Sequence, residues 1–161
     1  MGIKMKFFLF VMIFFSNVST AGDFHHLEKG FYWKDTPTVF LCDRTSIDPE
    51  VVKKAISFWI DSGYRLNPVP EYKNCKEEPR QGEIRIDYLR NSSDNLNPST
   101  HNGVSETYNF SNTKMYYCAE LWINKELQEH VEIFKHELGH AVGLKDEYNN
   151  HASVMTHRKN Y

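Results

Sequence analysis

His136-Glu-Leu-Gly-His140-Ala-Val-Gly143-Leu-Lys-Asp146 is the stretch from which the rest of the chain can be read. On a helix, residues four apart lie on one face, one turn above each other. His136 and His140 therefore offer two imidazoles to one metal ion, with Glu137 beside them as a candidate general base. Gly143 falls where this helix has to end, because glycine adopts the left-handed conformation that turns a chain back. That reversal would bring Asp146 under the pair as a third candidate ligand. His151 is its main rival, with His157, Glu147 and Glu120 behind.

A catalytic zinc takes three protein ligands and leaves the fourth position to water, so the expectation is one Zn2+ on His136, His140 and Asp146. Zinc lowers the pKa of its water to about 7. Glu137 would then accept the water proton and pass it to a leaving amine. Tyr148, two residues past Asp146, is placed either to donate a hydrogen bond to an oxyanion or simply to pack. A surface helix with two stray histidines is the bland alternative, and it fits poorly. The run ends an amphipathic pattern, and Ser153-Val-Met155-Thr follows shortly after it.

The N-terminus bounds the location. Lys4 and Lys6 precede an apolar run, Phe7 to Phe15, followed by Ser19-Thr20-Ala21 with small residues at the −3 and −1 positions. This is the layout of a secretory signal peptide over residues 1–21. The run is shorter than the about 20 residues a spanning helix needs. The expectation is an exported protein, secreted or periplasmic, with residues 22–161 as a single, monomeric catalytic domain and no stable membrane association after cleavage. Taking Lys4 and Lys6 from the 19 basic residues leaves 17 against 21 acidic ones, a net charge of −4. There is no basic stripe of the kind a phosphate backbone demands, so nucleic acid is not an expected partner.

Three cysteines, Cys42, Cys75 and Cys118, lie beyond the signal. Export permits a disulfide. Cys42 and Cys75 each end a strand-like run and are the favoured pair, with the other pairings left open. Cys118 sits in an apolar-aromatic run and reads as a buried small hydrophobe.

Around the motif the chain reads as an α+β, or α/β-like, domain with one mixed sheet of about five strands and two main helices. Thr36 to Cys42 reads as a first strand. Asp48 then caps a helix with Pro49 at its first position. Its apolar residues Val52, Ala55, Ile56, Trp59 and Ile60 recur at helical spacing, and Gly63 closes it. Val69 to Asn74, interrupted by proline, suits an edge strand, and Gly82 to Tyr88 alternates cleanly. Asn91 to Gly103 reads as a surface loop. Val104 to Phe110 and Met115 to Ile123 look like a hairpin joined by Ser111-Asn112-Thr113. Asn124 is the expected N-cap of the motif helix, with Leu127, Val131, Phe134, Leu138 and Val142 as its buried stripe.

His136-Glu-x-x-His140-x-x-Gly143-x-x-Asp146, followed by Met155, resembles the metzincin zinc endopeptidases. The aspartate in third place, and Asp146-x-Tyr148 after it, are similar to the snapalysins, small secreted bacterial proteases. Ser153-Val-Met155 resembles the methionine-bearing turn beneath the metal in that clan. The order of strand, helix, strands and motif helix resembles the matrixin catalytic domain, as pattern rather than motif. The resemblance implies the zincin fold, peptide-bond hydrolysis, and a protein or peptide substrate paired along an edge strand at Val104 to Phe110. It departs from most metzincins in its aspartate, and the matrixin calcium sites are not recognisable. Two other functions compete: a catalytically silent zinc-binding recognition module, and a zinc amidase acting on cell-wall peptides. Glu137 weighs against the first, since a silent site has no need of that carboxylate.

Overall fold

The computed structural model describes residues 31–89, 101–148 and 152–156. Residues 1–30, with the expected signal segment, and most of the Asn91 to Gly103 loop lie outside them. In chain order the elements are β1 (Tyr32–Trp33), β2 (Thr38–Cys42), α1 (Pro49–Asp61), β3 (Glu71–Lys73), β4 (Glu83–Tyr88), β5 (Gly103–Asn109), β6 (Met115–Ile123), a 3-10 turn (Lys125–Leu127) and α2 (Val131–Ala141). They form an α+β domain with a mostly parallel sheet and two helices. The sheet has six strands rather than about five, because the two-residue β1 adds to one end of β6. Its order is β1-β6-β4-β2-β3, and β5 joins β6 as the antiparallel member.

Alternation in the strands separates two faces of the sheet. On one face Val39 stands beside Ile84 and Ile84 beside Ala119, while Leu41, Ile86 and Leu121 form the next row. All six are fully buried against the helices. The opposite face carries Glu83, Arg85 and Asp87, and these too are buried. Burial alone would push the Glu83 carboxyl up. The Arg80 backbone N–H, at 3.0 Å, and the cations of Lys73 and Arg85 outweigh it and hold Glu83 below the ordinary carboxylate range. Arg85 also donates to the Glu77 and Glu78 carbonyls, fastening the loop before β4 to the sheet. Cys42 and Cys75 form the disulfide, and Cys118 is a buried thiol whose pKa burial pushes up to about 11.

The helix α1 forms as its sequence dictates. Asp48 accepts a hydrogen bond from the Glu50 N–H at 2.9 Å, Pro49 opens the first turn, and Gly63 follows the end with φ +93°. The start of the motif helix differs from expectation. Asn124 caps only the 3-10 turn, accepting from the Glu126 N–H, and α2 begins at Val131. The reason is tertiary. Gln128 accepts hydrogen bonds from the hydroxyls of Ser46 and Tyr88, which ties the segment to the sheet before a helix can run through it. After the break Ile133 and Ala141 join Phe134, Leu138 and Val142 in the core, while Leu127 and Val131 are only half-buried. The hairpin turn matches its reading: Asn112 takes the left-handed conformation at φ +60°. Among the described residues no helix is long and apolar enough to cross a membrane.

Candidate metal centre

The helix α2 is fixed at both flanks by indoles. Trp59 of α1 donates to the Lys135 carbonyl at 2.8 Å, and Trp33 of β1 donates to the Ala141 carbonyl at 2.9 Å. Gly139 lies where α2 meets α1. A Cβ there would fall 2.2 Å from Met155 Sδ and 2.8 Å from Trp59 Cζ2, so only glycine leaves room for both. Met155, 2% exposed, is thus packed directly under the motif helix.

Helix α2 ends with the chain folding back on itself. The Leu144 N–H bonds to the Gly139 carbonyl and the Gly143 N–H to the His140 carbonyl, both at 2.9 Å, while Gly143 takes φ +101°. This left-handed closure is what glycine supplies at a helix C-terminus. It returns the chain so that Asp146 Oδ1 sits 3.2 Å from His136 Nε2 and 3.5 Å from His140 Nε2. The two Nε2 atoms are themselves 3.2 Å apart. The three side chains are between 20% and 27% exposed, enough to open toward solvent on one side.

Backbone carbonyls set the tautomers. His136 Nδ1 lies 3.0 Å from the Val154 carbonyl, and His140 Nδ1 lies 2.9 Å from the Leu144 carbonyl. A carbonyl only accepts, so each Nδ1 carries the proton. In the neutral rings each Nε2 then presents a lone pair toward the other and toward a carboxylate oxygen. Three electron-rich atoms at this spacing are a donor set for a cation, and carbonyl-oriented imidazoles are the usual support of metal-ligating histidines. His136, His140 and Asp146 are the cluster among the described residues that could hold a metal ion.

Glu137 is 5% exposed, and its carboxylate lies against Gly103 of β5. A Cβ at position 103 would approach Glu137 Oε1 to 2.5 Å, so the glycine is what lets the strand pass this close. Burial first, and the Asp146 charge second, push the Glu137 carboxyl up to about 8. The cluster and Glu137 open into a cleft of about 580 Å³, walled by β5 from Gly103 to Thr107 on one side and by Leu144, Lys145 and Tyr148 on the other.

The structure therefore brings together His136, Glu137, His140, Gly143, Asp146 and Met155. Tyr148 is on the cleft wall and 70% exposed. Glu147 is not among the clustered donors; its backbone N–H pairs with the Met155 carbonyl at 2.8 Å, in a bridge with Thr156. Glu120 stands beside Arg85 on the opposite face of the sheet and is no ligand. His151 and His157 lie outside the described residues. Sequence reading passes over Gly103, Gly139, Trp33 and the Val154 and Leu144 carbonyls. Nothing local marks them, since each acts through a contact distant along the chain or through backbone that any residue supplies.

No protein-family model matches the chain, and no curated protein matches it either. The reading of this site rests on its own geometry.

Proposed function

We propose that the chain is an exported zinc-dependent endopeptidase of the metzincin type, hydrolysing peptide bonds in a protein or peptide substrate. The observation that carries this is the ligand triangle of 3.2, 3.2 and 3.5 Å. Two atoms each about 2.0–2.1 Å from one zinc ion at the tetrahedral angle lie about 3.3 Å apart, so the donor set suits zinc in size as well as in chemistry. When bound, zinc supplies Lewis acidity and makes water acidic near neutral pH.

The remaining roles fall to the chain's own residues. His136, His140 and Asp146 would hold the ion, the two imidazoles fixed by the Val154 and Leu144 carbonyls. Glu137, adjacent to the ligands and facing the cleft, takes a proton from water in its ionised form, which a bound cation favours, and delivers it to the leaving amine. Tyr148 at the cleft wall donates to the developing oxyanion. Strand β5 pairs with β6 along one edge only among the described residues, and its other edge lines the cleft. An extended peptide adding to that edge would lay a scissile bond over the ligands. The signal-like N-terminus supports an extracellular or periplasmic substrate.

Zinc content and cleavage of casein test the reading in wild type, Glu137→Ala and Asp146→Ala. Wild type should bind one zinc and cleave. Glu137→Ala should keep the metal and lose activity by about 10²–10⁴, the contribution of a positioned general base. Asp146→Ala should lose most of its zinc. Full turnover by Glu137→Ala would overturn the mechanism, and undiminished zinc in Asp146→Ala would overturn the ligand set.

A further inference from the structure

An α-helix leaves its last four carbonyls without partners inside the helix. In α2 three of them are taken by the backbone that follows. The Val142 N–H bonds to Leu138 at 3.0 Å, and the Leu144 and Gly143 N–H groups bond to Gly139 and His140 at 2.9 Å. The fourth carbonyl, that of Ala141, accepts the Trp33 indole N–H at 2.9 Å, from 108 residues earlier in the chain. Helix α1 closes through the same backbone pattern, with Tyr64 bonded to Trp59 and Gly63 to Ile60, but its last residue, Asp61, is exposed. Ala141 is wholly buried, so solvent cannot take the donor's place, and a buried carbonyl without a donor is costly.

The donor is itself held. Strand β1 pairs with β6, and the Tyr32 N–H bonds to the Lys114 carbonyl at 3.0 Å. The Trp33 ring packs on Tyr116 with centres 5.4 Å apart, and Phe31 stacks on Tyr116 at 5.5 Å. The Tyr116 hydroxyl lies 3.4 Å from where a Gly143 Cβ would stand, so these aromatic rings also reach the left-handed residue of the reversal. That reversal presents the Leu144 carbonyl to His140 Nδ1 and Asp146 to both imidazoles. We propose that Trp33 is a positioning residue of the metal centre: β1 straps the end of the motif helix, and the indole N–H fixes the reversal that aligns His140 and Asp146. His136 is oriented from elsewhere, by the Val154 carbonyl. Trp33 can position ligands only if the reading above is right that His140 and Asp146 hold zinc, whereas the strapped reversal exists with or without the ion.

Two substitutions separate the indole's hydrogen bond from its bulk. Trp33→Phe keeps an aromatic ring against Tyr116 and removes the donor. Trp33→His gives up bulk but carries an Nε2–H at the same ring position as the indole N–H. Zinc affinity, measured by competition with a chromophoric chelator, should fall about tenfold in Trp33→Phe, the low end for a group that orients metal ligands. Trp33→His should recover most of that loss, whereas a side chain that merely filled space would give the opposite order. In the zinc-free proteins, hydrogen exchange at Gly143 and Leu144 should quicken by a similar factor in Trp33→Phe, with Gly63 and Tyr64, the matching amides of α1, unchanged. Because exchange is read against α1 within one molecule, it decides even if Trp33→His does not fold. Wild-type affinity in Trp33→Phe, weaker binding by folded Trp33→His than by Trp33→Phe, or equal acceleration at both helix ends would each overturn the proposal. Selective acceleration at Gly143 and Leu144 in a protein whose wild type binds no zinc would remove the ligand reading and leave the strap standing. One bound zinc, with neither substitution changing affinity or exchange, would do the reverse.

Discussion

Helices α1 and α2 lie against each other and have similar lengths, 13 and 11 residues, yet they are built on opposite principles. Helix α1 follows the local rules for a helix: a bonded aspartate cap, a proline in the first turn, and a buried stripe that is wholly apolar. Helix α2 has no side-chain cap, starts late, and buries a glutamate and a glycine beside its apolar residues. Gly139 alone lowers helix propensity by about 1 kcal/mol relative to alanine. Helix α2 is held instead from outside, by Trp59, Trp33, Met155 and the strand that passes Glu137. Places where a chain breaks local rules consistently are where function is to be expected.

The comparison predicts where stability resides. Trp59→Ala removes a fully buried side chain from α1 and the bond it donates to α2, and should cost about 3–5 kcal/mol in urea unfolding. Because Trp59 also supports Gly139, zinc affinity should fall in any fraction that remains folded. A loss below about 1 kcal/mol would mean that α2 does not lean on α1. Zinc should act from the other end. At 100- to 1,000-fold its dissociation constant it should raise stability by about 2.7–4.1 kcal/mol over chelated protein. Hydrogen exchange should slow most in α2 and in residues 144–148 and 153–156. Equal slowing throughout α1, with no excess at α2, would break the contrast between the helices.

The same contrast explains what the sequence discloses. Helix α1 is legible from Asp48 to Gly63 because its determinants are local: a cap, a proline, a period and a stop. The C-terminal half of α2 is legible for a related reason, since His136, Glu137, His140, Gly143 and Asp146 fall within one helical turn and one reversal. Its N-terminal half is not. Asn124 is a sound cap by local rules and does cap a turn, but the contact that ends that turn involves Ser46 and Tyr88, far away in the chain. Strand β1 escapes notice because two residues carry no period. Gly103 and Gly139 look like ordinary glycines until a carboxylate and a thioether are placed 2.5 and 2.2 Å from their missing Cβ atoms.

Gly139→Ala sharpens the point, because propensity and packing predict opposite signs. In an exposed helix the change stabilises by about 1 kcal/mol. Here the added methyl meets Met155 Sδ and Trp59, and overpacking of this kind costs about 1–3 kcal/mol. We expect net destabilisation together with weaker zinc binding, because displacing Met155 moves the neighbouring Val154 carbonyl that orients His136. A more stable protein with unchanged zinc affinity would show that Met155 can retreat without cost to the site.

The smallest expected effects come from the caps, and they test whether the weakness of α2 is confined to its start. Asp48→Ala removes the hydrogen bond to the Glu50 N–H and should destabilise by about 1 kcal/mol. His130 stands at the corresponding position of α2, with extended backbone and no side-chain cap bond. Aspartate there could accept from the Glu132 N–H and would place a negative charge at the positive end of the helix dipole. His130→Asp should therefore stabilise by about 0.5–1 kcal/mol in thermal unfolding. The cap is nearly two turns from His136, and the ligands are oriented by carbonyls beyond the other end of the helix, so zinc affinity should stay within twofold of wild type. Stabilisation with the metal site intact would place the irregularity of α2's first turn outside the chemistry. Stabilisation that weakens zinc binding would mean instead that the loose start lets the ligand-bearing turns settle around the ion.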